Sequence, residues 1–223
     1  MNNKIAPNNY IYLFSKFIKD NFKSILIGLF IIFIIFIGYQ TYNYINLQNI
    51  NKNSLTYFKS KEMEPNKEFY IIMENLSKNN DFYSVLSFLE IININIKENE
   101  LILAEKNYFE LINNKKLNST YKSAISAHAS YNFINLLFET SNLNLIPKIN
   151  LFIENINDDL ENYRGIKLEL KYLLAVAKQD INNIAPNQDE KTISLYNEII
   201  QSKETSSSIK ERIKKIHEFQ YYK

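Results

Sequence analysis

The sequence of 223 residues contains no cysteine and no tryptophan, and it has only three glycines and four prolines. Without cysteine, the chain can form no disulfide bond, thiol nucleophile or cysteine-ligated zinc site. Gly165 is the only glycine after residue 38, so no glycine-rich phosphate-binding motif occurs. These absences exclude several classes of enzyme and metal protein, and they leave long stretches without helix-breaking residues.

The charge balance also excludes a partner class. Four lysines lie in the first 23 residues, where Asp20 is the only acid. From residue 52 onward there are 22 basic and 23 acidic residues, so this larger part of the chain is nearly neutral. A nucleic-acid-binding domain would carry a basic footprint. We therefore expect no nucleic-acid partner.

The longest apolar run lies in the stretch KSILIGLFIIFIIFIGYQTYNYI, which begins at Lys23, and no charged residue follows until Lys52. As a helix, the segment from Ser24 to Tyr44 would span about 31 Å, close to the roughly 30 Å hydrocarbon core of a bilayer. The run has no polar stripe of the kind that a soluble helix shows. The sequence therefore predicts a transmembrane helix over residues 23–45. The predicted anchor residues are Ile25, Leu26, Ile27, Leu29, Phe30, Ile31, Ile32, Phe33, Ile34, Ile35, Phe36, Ile37 and Tyr39.

This segment is predicted to stay attached, because no Ala-x-Ala cleavage pattern follows it. The lysines before it favour a cytoplasmic N-terminus by the positive-inside rule. Residues 1–22 are then a short basic cytoplasmic segment. Residues 46–223 form a domain on the opposite side of the membrane.

Beyond the apolar run, hydrophobic residues recur at helical spacing and strand-like alternation is weak. Asp81 can cap the first predicted helix, the stretch Asn118-Ser119-Thr120 opens the third, and Ser206-Ser207-Ser208 caps the last. The predicted helices form pairs over residues 81–114, 118–157 and 159–203, followed by a terminal helix over 208–220. This period is typical of helical-repeat proteins, in which neighbouring pairs bury each other's apolar faces. The predicted fold is all-α: one N-terminal transmembrane helix followed by a helical-repeat (α-solenoid) domain.

Three segments carry a resemblance to known families. YLLAVAKQDINN (172–183) and KTISLYNEIIQSKETSSSIKERIKKI (191–216) resemble degenerate tetratricopeptide repeats, although Ile193 replaces a small residue and Thr205 a proline. FSKFIKDNFKSILIGLFIIFIIFIGYQTYNY (14–44) is similar to the start of the ancillary subunits of the SecYEG translocon, and in particular to divergent, AT-rich alphaproteobacterial members.

The resemblance implies an inner-membrane protein with a cytoplasmic N-terminus, one span and a periplasmic tetratricopeptide-like domain. It implies no enzymatic activity. The partners that it implies are Sec translocon subunits and periplasmic chaperones, in the handover or folding of exported proteins.

Residues with catalytic or metal-binding chemistry are few. His128 is expected to be packed or at the surface, His217 is expected to be solvent-exposed, and neither has a second histidine at metal-ligand spacing. Asp158, Asp159 and Glu161 are more typical of a helix start than of a cation site. We therefore predict no catalytic residue, no metal site and no cofactor.

Four aromatic residues on the predicted repeat helices are candidates for a protein-binding surface: Tyr131, Phe138, Tyr172 and Tyr196. Aromatic residues at helical spacing also form cores, so both roles stay open. The leading hypothesis is a membrane-anchored scaffold for protein–protein contacts. The alternatives are a cytosol-facing receptor or assembly platform and a cell-envelope enzyme.

Overall fold

The computed structural model describes residues 7–79, 81–186 and 188–222, with side chains from residue 11 onward. Over these residues the regular structure is helical, with no strand, which confirms the all-α prediction. The helices are α1 (Pro7–Lys61), α2 (Lys67–Ser77), α3 (Phe82–Lys97), α4 (Leu101–Ile112), α5 (Ser119–Thr140), α6 (Ile146–Glu154), α7 (Glu161–Ile181), α8 (Glu190–Gln201) and α9 (Ser207–Gln220). A short 3-10 turn, Leu143–Leu145, precedes α6.

Helix α1 is 55 residues long and contains the whole apolar run. A kink lies at Asn21, where the backbone leaves helical geometry (φ −112°, ψ 16°) and the side-chain amide donates to the carbonyl of Phe17 at 3.0 Å. Beyond the kink the helix continues for about 60 Å at 1.5 Å per residue.

The chain divides into two compact units after Ser87. In the first unit, the C-terminal part of α1 packs against α2. The buried residues there are Tyr57, Ser60, Phe69, Met73 and Leu76. Helix α2 was not predicted, although Asn66 caps it by accepting from the backbone N–H of Phe69 at 2.9 Å.

The second unit, Phe88–Lys223, is a stack of consecutive helices. Helix α5 packs on α4, α6 and α7, and α7 packs in turn on α8 and α9. The predicted caps at Asn118 and Ser206 are confirmed, because each side chain accepts a hydrogen bond from the first turn of its helix. Pro147 lies in the first turn of α6, as expected from its missing N–H.

The central helix α5 is buried on more than one side, so a single apolar stripe describes it poorly. Small side chains at Ser126, Ala129 and Ser130 are fully buried and let the neighbouring helices approach closely. Ala124 is exposed, and Phe138 keeps 40% of its surface exposed. Periodicity located the helix correctly but not all of its buried positions.

Two alanines of α5 provide a matched test of this packing. We expect Ala129→Leu to lower the free energy of unfolding by about 1–3 kcal/mol, because the larger side chain has no space in a closely packed core. The same change at exposed Ala124 should alter it by less than about 0.5 kcal/mol. Urea denaturation of the full chain in a mild detergent, followed by circular dichroism, measures both values. Equal effects of the two substitutions would contradict the described packing of α5.

Candidate interaction surface

The predicted anchor residues lie on α1 and expose large apolar surfaces. An 18-residue stretch of α1 has a mean hydropathy of 2.4, and none of this stretch is buried against the rest of the chain. Phe30 is 60% exposed and Ile35 is 65% exposed. By length and composition, this helix can cross a membrane.

The four candidate aromatic residues differ in their surroundings. Tyr172 is fully buried in a core cluster with Val176, Ile199 and Ile213, so it contributes to packing and not to a surface. Tyr196 is partly buried and lies beside Tyr172, with ring centroids 6.4 Å apart. Burial raises the pKa of the Tyr172 hydroxyl above its usual range.

The other two candidates lie on α5. Tyr131 is partly buried, and its hydroxyl donates to Glu169 of α7 at 2.8 Å. Phe138 is the most exposed of the four candidates. The structure therefore brings Tyr172 and Tyr196 together, whereas Tyr131 and Phe138 have separate surroundings.

One buried ion pair in this unit was not predicted from the sequence. The carboxylate of Glu169 has no exposed surface, and Arg212 of α9 binds both of its oxygens, with N–O distances of 2.5 and 2.7 Å. Tyr131 donates to the same carboxylate. We call Tyr131, Glu169 and Arg212 the Glu169 cluster. It joins α5, α7 and α9 through charge-assisted hydrogen bonds, which are stronger than neutral ones.

Both histidines make structural contacts. Asn132 donates to the hydroxyl of Tyr108 at 2.8 Å, and that hydroxyl lies 2.8 Å from Nδ1 of His128. This pattern fits a neutral His128 ring whose Nδ1 accepts a hydrogen bond from the tyrosine hydroxyl. Burial lowers the pKa of His128, which favours the neutral ring.

The expectation that His217 is solvent-exposed is wrong. Its ring is partly buried and stacks on Tyr196, with centroids 3.9 Å apart and planes 18° from parallel. Its Nδ1 lies 3.3 Å from the hydroxyl of Tyr172. Burial lowers the pKa of His217. The amphipathic pattern of α9 did not show that a neighbouring helix covers this position.

The acidic cluster at the start of α7 has a structural role. Asp158 binds the ammonium of Lys167 at 3.0 Å, and this buried lysine also donates to the carbonyl of Ile156 at 3.0 Å. Glu161 lies in the first turn of α7, where an acid complements the helix dipole. Within the part of the chain that the structure describes, no group of three histidines or acids is placed to hold a metal ion.

An open groove lies between α6, α7 and α8. Its volume is about 490 Å³, within the size range of ligand pockets. We call it the α7 groove and define it by Lys171, Leu174, Lys178, Ile184, Lys191 and Leu195. It combines lysine side chains with an apolar floor.

Comparison with known families identifies the architecture. Residues 15–141, more than half of the chain, match the tetratricopeptide repeat-like domain family. The chain belongs to this family. The match begins before the apolar run of α1 and ends at the C-terminus of α5, so it includes the candidate membrane helix.

Residues 172–183 and 191–216, which carried the resemblance to tetratricopeptide repeats, lie beyond the matched residues. No curated protein and no solved structure matches the chain.

This family membership supports a role in protein–protein interaction, because tetratricopeptide repeat-like domains act as interaction scaffolds and are typically non-catalytic. Helical repeats present extended surfaces to their partners. The expectation that the partners are proteins therefore agrees with the family match.

The Glu169 cluster can be tested with the two arginines of the chain. We expect Arg212→Met to lower the free energy of unfolding by about 3 kcal/mol, because it leaves a buried carboxylate without a cation. Adding Glu169→Gln should recover part of this loss, since the remaining amide is neutral. Arg164→Met, at the exposed Arg164–Glu204 pair, should cost much less. The measurement is urea denaturation of the full chain. If Arg212→Met alone and Arg212→Met with Glu169→Gln lose the same free energy of unfolding, the charge of Glu169 does not contribute to the loss.

Proposed function

We propose that this protein is a non-enzymatic, membrane-anchored scaffold for protein–protein contacts at the bacterial inner membrane. Residues 1–22 lie in the cytoplasm, residues 23–45 cross the membrane, and residues 46–223 form the tetratricopeptide-like domain in the periplasm. The observation that carries this proposal is that the family match runs through the exposed apolar part of α1 and into the helices that follow.

Exposed apolar surface gives the physical reason for the anchor. Twelve Ile, Leu and Phe residues lie between Ile25 and Ile37. Each contributes roughly −0.3 to −0.6 kcal/mol to insertion near the centre of a bilayer, so together they favour insertion by several kcal/mol. In water, this surface would favour association or aggregation.

The proposed partners follow from the resemblance of residues 14–44 to ancillary SecYEG subunits. We propose that the domain binds Sec translocon subunits and periplasmic chaperones and assists the handover or folding of exported proteins. An anchor near the exit of the translocon raises the effective concentration of the domain for emerging chains. Exposed Phe138 and partly exposed Tyr131 and Tyr196 stay candidates for the binding surface, whereas buried Tyr172 does not.

Two cysteine substitutions test the orientation, since the chain has no cysteine of its own. Lys215→Cys places a thiol at an exposed position of α9, and Lys16→Cys places one in α1 before the apolar run. A membrane-impermeant maleimide is added to spheroplasts of bacteria that produce each variant. We expect labelling at position 215 without lysis and at position 16 only after lysis, because the bilayer separates the two positions.

The converse pattern would overturn the proposal. Labelling at position 16 in intact spheroplasts, with position 215 labelled only after lysis, would place the helical domain in the cytosol. A cytosol-facing receptor or assembly platform would then be the better account. Labelling of either position after lysis controls for thiol accessibility.

A further inference from the structure

We propose that the α7 groove binds an acidic, extended segment of a partner protein, with its carboxylates on three lysines and an apolar side chain between them. This inference rests on the proposed scaffold function, and it names the chemistry of the partner segment. The groove lies entirely within the second unit, Phe88–Lys223.

Three lysines give the groove its charge. Lys171 and Lys178 are seven residues apart on α7, so they lie on one face about 10.5 Å apart along the axis. Lys191 joins them from the first turn of α8. Among the described residues, no carboxylate lies within ion-pair distance of any of the three ammonium groups.

The two acids at the groove already have partners. The carboxylate of Asp189 caps α8, where it accepts from the backbone N–H of Lys191 at 3.2 Å and from the hydroxyl of Thr192. Glu154 is directed to Lys167, with its carboxylate 3.9 Å from that ammonium. Neither acid forms an ion pair with a groove lysine, and three lysines against two acids leave an excess of positive charge, so an anionic segment can bind the lysine ammonium groups.

The surroundings of Lys178 disfavour its charged form. It is partly buried, and its pKa is lowered first by burial and then by the positive charge of Lys191. A carboxylate placed between Lys178 and Lys191 would reduce this repulsion. The charge repulsion between Lys178 and Lys191 and their position in the same groove therefore both favour an anionic partner.

The apolar floor distinguishes a peptide from a simple anion. Leu174 lies between Lys171 and Lys178 on the same face of α7, and Ile184 and Leu195 line the groove beside it. In an extended peptide, alternate side chains on one face are about 7 Å apart. A peptide with acids at its first and fifth positions and an apolar residue at its third therefore presents charge, apolar side chain and charge to the groove in that order, because its second and fourth side chains face away.

A pair of synthetic peptides tests the proposal on the purified full chain in a non-ionic detergent. One fluorescent peptide contains the sequence Glu-Ser-Leu-Ser-Glu, which places both Glu and the Leu on one face when extended, and the other has Gln in place of each Glu. Fluorescence anisotropy should show binding of the acidic peptide and at least about tenfold weaker binding of the neutral one, since each tenfold step is about 1.4 kcal/mol. Added salt should weaken the acidic complex.

Matched lysine variants locate the site. We expect Lys178→Gln to weaken binding of the acidic peptide by about five- to tenfold, which corresponds to the loss of one partly buried charge contact. Lys214→Gln, at an exposed position of α9, should leave binding unchanged. Lys171→Gln provides a second groove variant if Lys178→Gln does not fold, as judged by circular dichroism.

Three results would overturn the proposal: no binding of the acidic peptide, equal loss of binding in the groove and control variants, or equal competition by leucine-free polyglutamate. The last result would show attraction to any polyanion. This assay does not depend on membrane orientation. A reversed topology with specific peptide binding would reject the proposed periplasmic function and leave the groove assignment standing, whereas correct topology without binding would reject only the groove.

Discussion

The packing of the second unit depends on a buried charge at Glu169. A carboxylate without exposed surface is tolerated only when it is paired and hydrogen-bonded. Arg212 and Tyr131 provide that pairing from α9 and α5, so the three helices must keep a fixed register. Arginine suits this position because its planar guanidinium binds both carboxylate oxygens at once, which a lysine cannot do. The chain has only two arginines, and the other, Arg164, also binds two partners, the carbonyl of Asp158 and the carboxylate of Glu204.

The start of α7 is held by a second close contact. A Cβ atom at Gly165 would lie 3.3 Å from Cα of Thr205, in the connection between α8 and α9. The glycine that the sequence left unexplained therefore permits a close approach between a helix and a loop. Gly165 and Glu169 are one turn apart on the same face of α7, so this contact and the Glu169 cluster hold α9 and the loop before it against α7 at neighbouring points. Helix α9 in turn covers the C-terminal core around Tyr172.

Local signals in the sequence were sufficient for most of the fold. Capping residues such as Asn118 and Ser206, and the spacing of apolar residues, predicted the helices from α3 to α9. Helix α2 was missed, although Asn66 followed by Phe69, Met73 and Leu76 has the spacing of a capped amphipathic helix. The contacts of the Glu169 cluster join residues far apart in the chain. Tyr131 and Glu169 are 38 positions apart, and Glu169 and Arg212 are 43 positions apart. Periodicity within one helix carries no information on such pairs, which is why the sequence left the role of Tyr172 open and wrongly indicated an exposed His217.

The proposed function joins two surfaces with different chemistry: the apolar face of α1, suited to lipid, and the repeat-like helices, suited to protein partners.

The most direct test is photocrosslinking from Leu47, which follows the predicted span and is 56% exposed. A photoreactive amino acid at this position, activated in cells of a bacterium that carries the SecYEG translocon, should yield an adduct that contains a translocon subunit. The same probe at exposed Lys214 serves as the comparison, with a weaker translocon adduct expected. Adducts from position 47 that contain other proteins or lipid, and never a translocon subunit, would contradict the proposed place of this scaffold beside the translocon.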